Sequence, residues 1–133
     1  MPLNVPNVGE AIALEALVNR TAPQNLNLRL YANNITPADT DTAVTYTENT
    51  FAGYAAIALA GASWNAYAAN SISYSAQQTF TRSTTGAPET TYGYYLTQVT
   101  SGILVWSERD PSAPFTFATA GDNLKLTPAI GAD

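Results

Sequence analysis

Thr91-Tyr92-Gly93-Tyr94-Tyr95-Leu96-Thr97-Gln98, then Val99-Thr100-Ser101-Gly102, then Ile103-Leu104-Val105-Trp106-Ser107-Glu108-Arg109 is the stretch that decides the fold. Its two flanks are rich in aromatic and β-branched residues. The four residues between them end in glycine. Such a pattern predicts two strands joined by a hairpin turn. On the first strand, simple alternation sends Tyr92 and Tyr94 to one face and Tyr95 to the other. On the second, Trp106 shares a face with Leu104 and Glu108, so that face has a polar end.

Working outward, the same period-two pattern recurs. Leu26-Asn27-Leu28-Arg29-Leu30-Tyr31 alternates. Runs at 53–59 and 63–68, split by Ala60-Gly61, predict two more strands, with Trp64 in the core. Residues 71–81 predict one long strand, with Ile72, Tyr74, Ala76 and Phe80 on one face. Phe115–Ala118 and Leu124–Thr127 follow, separated by a turn at 120–123. Residues 32–49 and 83–89 predict loops, the former with room for a short edge strand. One helix is expected, over 9–19, with Asn7 as its cap and Ala11, Leu14, Leu17 and Val18 as its apolar face. About eight short strands with frequent turn signals predict an all-β antiparallel β-sandwich, jelly-roll-like, as one domain over 9–133. Residues 1–8, with Pro2 and Pro6, predict an extended N-terminal arm. Its apolar Leu3, Val5 and Val8 are candidates for lying on a partner, against the alternative of a frayed terminus.

Composition removes many functions. The chain has 133 residues, five basic and ten acidic side chains, and neither histidine nor cysteine. Triads built on histidine, thiol nucleophiles, zinc fingers and disulfides are therefore excluded. A formal net charge of −5 with scattered Arg20, Arg29, Arg82, Arg109 and Lys125 argues against nucleic acid. No apolar run reaches the length of a membrane span, and no signal peptide is evident, so a soluble chain is expected. Charged residues make up 11% of the chain, under half the usual ~25%. Small neutral residues suit surfaces that become covered, because charge is depleted at interface cores.

Candidate sites are few. Asp39 and Asp41, with Glu48, form a weak metal candidate whose spacing fails the EF-hand pattern; the ordinary reading is a loop. Glu48, Glu89, Glu108 and Asp110 are the acids from which a glycosidase pair would have to come. Tyr92 and Tyr94 admit two readings, core filling or a contact platform for a partner or sugar. No cofactor is expected.

Val5-Pro6-Asn7-Val8-Gly9-Glu10, Asn25–Tyr31 with Asn33-Asn34-Ile35-Thr36-Pro37, Tyr92–Tyr95 and Leu104–Arg109 together resemble a family of small structural proteins of tailed bacteriophages. Within that group the chain looks most like a capsid cement, or decoration, protein. The resemblance implies a non-enzymatic virion component on the capsid surface, made in the host cytoplasm. It also implies binding to the major capsid protein and self-association as a dimer or trimer. The alternative is a tail, baseplate or fibre component that binds a host surface polysaccharide.

Overall fold

The computed structural model describes residues 3–131, with Leu3 through its backbone alone. Among the described residues the chain is mostly β, all strand pairings are antiparallel, and there is one short α-helix. The strands are β1 (Leu3–Asn4), β2 (Leu26–Tyr31), β3 (Ile57–Leu59), β4 (Ser71–Ser73), β5 (Gln78–Thr81), β6 (Glu89–Thr91), β7 (Gly93–Gln98), β8 (Leu104–Arg109), β9 (Phe115–Phe117), β10 (Asn123–Leu126) and β11 (Ala129–Gly131); helix α1 spans Asn7–Leu17. One five-stranded sheet runs β1-β8-β7-β2-β3. Three two-stranded ribbons pair β5 with β10, β4 with β11 and β6 with β9.

The hairpin that decides the fold sits at the centre of the large sheet. All six residues of β7 are buried. The turn closes by hydrogen bonds from Gln98 N to Ile103 O and from Gly102 N to Gln98 O, at 2.9 and 3.0 Å. Gly102 adopts a φ of 71°, which glycine tolerates without a Cβ clash.

Two apolar clusters lie on the sheet. Leu28, Leu30, Tyr94, Leu96 and Trp106 pack with Phe51, Phe80 and Phe117. Tyr31, Tyr46, Tyr95 and Leu104 form the second cluster, joined by Val8, Ile35, Ala43 and Tyr92. Tyr46 stacks on Tyr95 at 5.0 Å, and Tyr31 meets Tyr46 edge-on at 5.0 Å.

Several elements differ from the sequence expectation. Leu104 and Trp106 belong to different clusters, although two residues apart. The register slips at Leu96/Thr97, where Trp106 pairs with Leu96 but Leu104 with Thr97. Val105 is the extra residue of this bulge, and a bulge reverses the alternation beyond it. Tyr92 joins the cluster of Tyr95 and not that of Tyr94, because it lies in the break between β6 and β7. The single strand expected over 71–81 is two strands, β4 and β5, each with its own partner. Residues 63–68 contain only isolated bridges at Trp64 and Ala68, and Trp64 is half-buried against Tyr74 and Trp106. Residues 32–49 form a loop with one 3₁₀ turn at Ala43–Thr45 and a bridge from Glu48 to Tyr31.

Candidate interaction surface

Helix α1 begins two residues earlier than expected, at Asn7. Pro6, not Asn7, is its N-cap, and the Pro6 carbonyl accepts from Gly9 N and Glu10 N. It ends in a Schellman motif: Asn19 N donates to Ala16 O, Arg20 N donates to Glu15 O, and Asn19 takes a φ of 57°. The helix packs on β8. Gly9 is the tightest point, because a Cβ there would lie 2.1 Å from the Val105 carbonyl oxygen. The bulge at Val105 and the glycine at position 9 therefore fit each other. Ile12 and Ala16, one and two turns on, are the half-buried residues of the same stripe.

The apolar face expected to be buried is the one left outside. Leu14 is 64% exposed, Leu17 81% and Val18 70%. The helix is apolar on nearly every side, and the close approach at Gly9 selects which side packs. A groove of about 420 Å³ runs beside it, walled by Val8, Ala11 and Ile12 of α1, by Ala43 and Val44, and by Ile103. Val44, on the lip, is 95% exposed. Burying one Val, Leu or Ile is worth ~1.5–3 kcal/mol at ~25 cal/mol/Å², which corresponds to roughly 60–120 Å² of apolar area each. Leu14, Leu17, Val18, Val44 and Ile103 at their observed exposures thus present roughly 300 Å². The exposed Ala11 and Ala13 extend the patch. The charges on the helix and just past its end are Glu10, Glu15 and Arg20, and Glu15 is engaged with Thr21 at 2.8 Å and Arg20 at 3.7 Å.

The other residues singled out in the sequence lie elsewhere. Val5 is half-buried against the first cluster, and Pro6 is fully buried. Leu3 and Asn4 pair with Glu108 and Ser107 as an edge strand. The segment expected as a free arm is thus applied to its own sheet, because β8 offers it an unpaired edge. Val8 packs on the second cluster and lines the groove. Residues 1–2 and the Leu3 side chain lie outside the described residues. Tyr94 is buried, and its hydroxyl donates to Glu108 Oε2. Tyr92 is half-buried, with the Arg109 guanidinium 5.2 Å over its ring. Arg109 is held in turn by Ile35 O and Asn34 Oδ1, both at 2.8 Å. Tyr92 and Tyr94 therefore do not form a shared exposed platform.

Nor do the acids converge on a metal. The buried Asp41 accepts from Ala38 N at 2.8 Å and from the Tyr46 hydroxyl at 2.7 Å. That hydroxyl meets Ser107 Oγ in a second bond at 2.7 Å. Asp41 thus pins the loop to the sheet, while Asp39 stays exposed and gives its backbone carbonyl to Asn7 N. Glu48 pairs with Arg29 at 2.7 Å and accepts from the Tyr54 hydroxyl at 2.9 Å. Among the described residues no three His, Cys, Asp or Glu side chains form a group that could hold a metal ion.

A second cavity, of about 330 Å³, contains Tyr94, Glu108, Asp110 and Lys125 among its walls. Burial raises the Glu108 carboxyl above the usual range, and the Tyr94 hydrogen bond opposes it. Asp110 Oδ1 accepts from Ser112 N at 2.7 Å. Tyr94 and Glu108 face each other across β7 and β8, so their bond ties the two central strands. Both acids thus have local structural partners.

Among the described residues no helix is long and apolar enough to cross a membrane. Comparison of the chain with protein-family models and with curated proteins finds no match. The candidate interaction surface is therefore the exposed apolar face of α1 with the groove beside it.

Proposed function

We propose that the chain is a non-enzymatic structural protein of a phage virion. In this reading it binds the outer capsid and clamps neighbouring major capsid subunits as a cement, or decoration, protein. The ribbons then act as the second layer of a jelly-roll-like sandwich over the five-stranded sheet. The resemblance in sequence to small phage structural proteins supplies the class. The observation that carries a binding role is the α1 face: Leu14, Leu17 and Val18 stand in water on a chain with few charges. The largest apolar patch on a soluble domain, typically ~300–600 Å², is often functional. A clamp needs area and copies; it needs no active site.

The test is the copy number of the chain per purified particle, relative to the major capsid protein. A ratio near a simple fraction of the capsid subunits supports the reading. A handful of copies per particle, or none, overturns it.

The second reading is a tail, baseplate or fibre component that binds a host polysaccharide. Tyr67 favours it, being 61% exposed, with its hydroxyl on Asn70 Oδ1 at 3.1 Å. An exposed aromatic ring beside an amide is suited to stacking on sugar. Glycan binding abolished by Tyr67→Ala would support it, and glycan arrays blank for the intact chain would remove it.

A further inference from the structure

We propose that the free edge of β10 takes an extended segment of a partner protein as an added strand, with a lysine or arginine side chain of that segment entering the cavity that β10 shares with the end of β8. This surface is separate from the α1 face, so the proposal does not rest on the capsid reading.

The backbone supplies the first argument. β10 belongs to a two-stranded ribbon and pairs only with β5. Its other edge has no strand beside it. Among the described residues, no main-chain group of Leu124, Lys125, Leu126 or Thr127 forms a hydrogen bond outside the β5 ladder. These four consecutive residues line the cavity of about 330 Å³. They span ~13 Å at ~3.3 Å per residue. Pro128 ends the edge: it has no N–H, it is fully buried, and its carbonyl accepts from Tyr74 N at 2.9 Å. An unpaired edge is a template for another strand. A strand added there is held by main-chain hydrogen bonds and selected by the pockets that its side chains meet.

Charge selects the side chain. Glu108 and Asp110 line the same cavity. Glu108 Oε2 accepts from the Tyr94 hydroxyl, and Asp110 Oδ1 accepts from Ser112 N. Each acid thus keeps a second carboxylate oxygen, and among the described residues neither acid forms an ion pair. Burial raises the Glu108 carboxyl, and repulsion from Asp110 adds to it, so the two charges lie within reach of one another. A cation between them relieves that repulsion. Lys125 does not supply it. Lys125 is exposed where Leu124 and Leu126 are half-buried, so alternation along the strand turns its side chain away from theirs. Leu124 and Leu126 offer apolar contact to the stem of an incoming long side chain. The cavity therefore suits an aliphatic stem with a cationic head, which is the chemistry of lysine and arginine.

The experiment uses the purified full chain and three synthetic peptides, read by calorimetry and by the backbone amide signals of β10 in NMR spectra. The first peptide, acetyl-Thr-Val-Lys-Val-Thr-amide, should bind and shift the amide signals of residues 124–127. The second has glutamate in place of lysine. The third keeps the lysine and carries N-methyl groups on its three central residues, which removes the strand's donors and leaves the charge. Each change should weaken binding roughly tenfold or more. In the protein, Glu108→Gln and Asp110→Asn should each weaken the first peptide by a similar factor, with melting curves showing that each variant is folded. Absence of binding by the first peptide at about 1 mM, or equal binding by all three, overturns the proposal. So does n-butylammonium binding as tightly as the first peptide, which would make the cavity a cation site without an added strand. None of these outcomes depends on the number of copies per particle.

Discussion

At the scale of single residues, one glycine and two acids have the clearest consequences. Gly93 lies where β7 passes Tyr31 and β8. A Cβ there would come 2.1 Å from the Glu108 carbonyl oxygen and 2.7 Å from the Tyr31 hydroxyl. The first of these is backbone and cannot step aside. Gly93→Ala should therefore destabilise the chain by about 2–3 kcal/mol, near the upper end of what overpacking costs; urea titration measures it, and a midpoint unchanged from the parent would contradict the close approach. Glu108 sets a pH dependence. Its folded carboxyl titrates above the ordinary glutamate value because it is buried. Between those two values the folded chain holds a proton that the unfolded chain has lost, so stability falls as pH rises through the window. Below the ordinary value both states are protonated and the effect vanishes. Asp122 has the opposite sign. Two backbone amides, Ala118 N and Thr119 N, hold it low, so its contribution is present above the ordinary aspartate value and is lost as pH falls through the lowered one. Urea midpoints from about pH 4 to about pH 7 should decline in the parent and decline less in Glu108→Gln. An identical slope in the two proteins would remove Glu108 as the cause.

At the scale of elements, the N-terminal segment and α1 act as one unit. β1 pairs with β8, Pro6 is buried and caps the helix, and Gly9 seats the helix on the Val105 bulge. Asn4 adds a side-chain bond to Ala38 O at 2.9 Å, and Asn7 N a backbone bond to Asp39 O at 2.9 Å. Read as a free arm, residues 1–8 should be removable with loss of attachment alone. In the folded chain their removal strips an edge strand, a helix cap and a half-buried valine. Deleting residues 1–6 should therefore lower stability by about 2 kcal/mol or more, from the lost burial of Val5 and Pro6. Thermal melting of the truncated chain checks this; a melt coincident with the parent's would restore the free-arm reading.

At the scale of the whole molecule, the few charges bear on how the chain attaches to anything. Of the two ion pairs among the described residues, Arg20–Glu15 is largely exposed and Arg29–Glu48 is half-buried and internal. Attachment through an apolar face should survive salt. At about 1 M the screening length is ~3 Å, which removes most exposed charge attraction. Particles washed at that ionic strength should keep their copies of the chain, as quantified on stained gels. Release by salt alone would point to an electrostatic contact instead.

The sequence by itself determined the class of fold and the central hairpin. Alternating β-branched and aromatic residues, glycine at the turn and the lack of helical periods between strands are local signals, and they survive folding. It also determined what chemistry is excluded, since histidine and cysteine are absent whatever the fold. Tertiary structure decided which side of each element faces inward. On β7 both faces are covered, so alternation carries no information about Tyr94 and Tyr95. The Val105 bulge moved Leu104 to the opposite face from Trp106, and a bulge has no signature in a run of apolar residues. On α1, nearly apolar all round, the hydrophobic pattern could not choose a side. The contact between Gly9 and the Val105 carbonyl chose it, and that contact joins residues 96 positions apart. The exposed Leu14, Leu17 and Val18 follow from that choice, which is why the candidate surface was legible only once the sheet was in place.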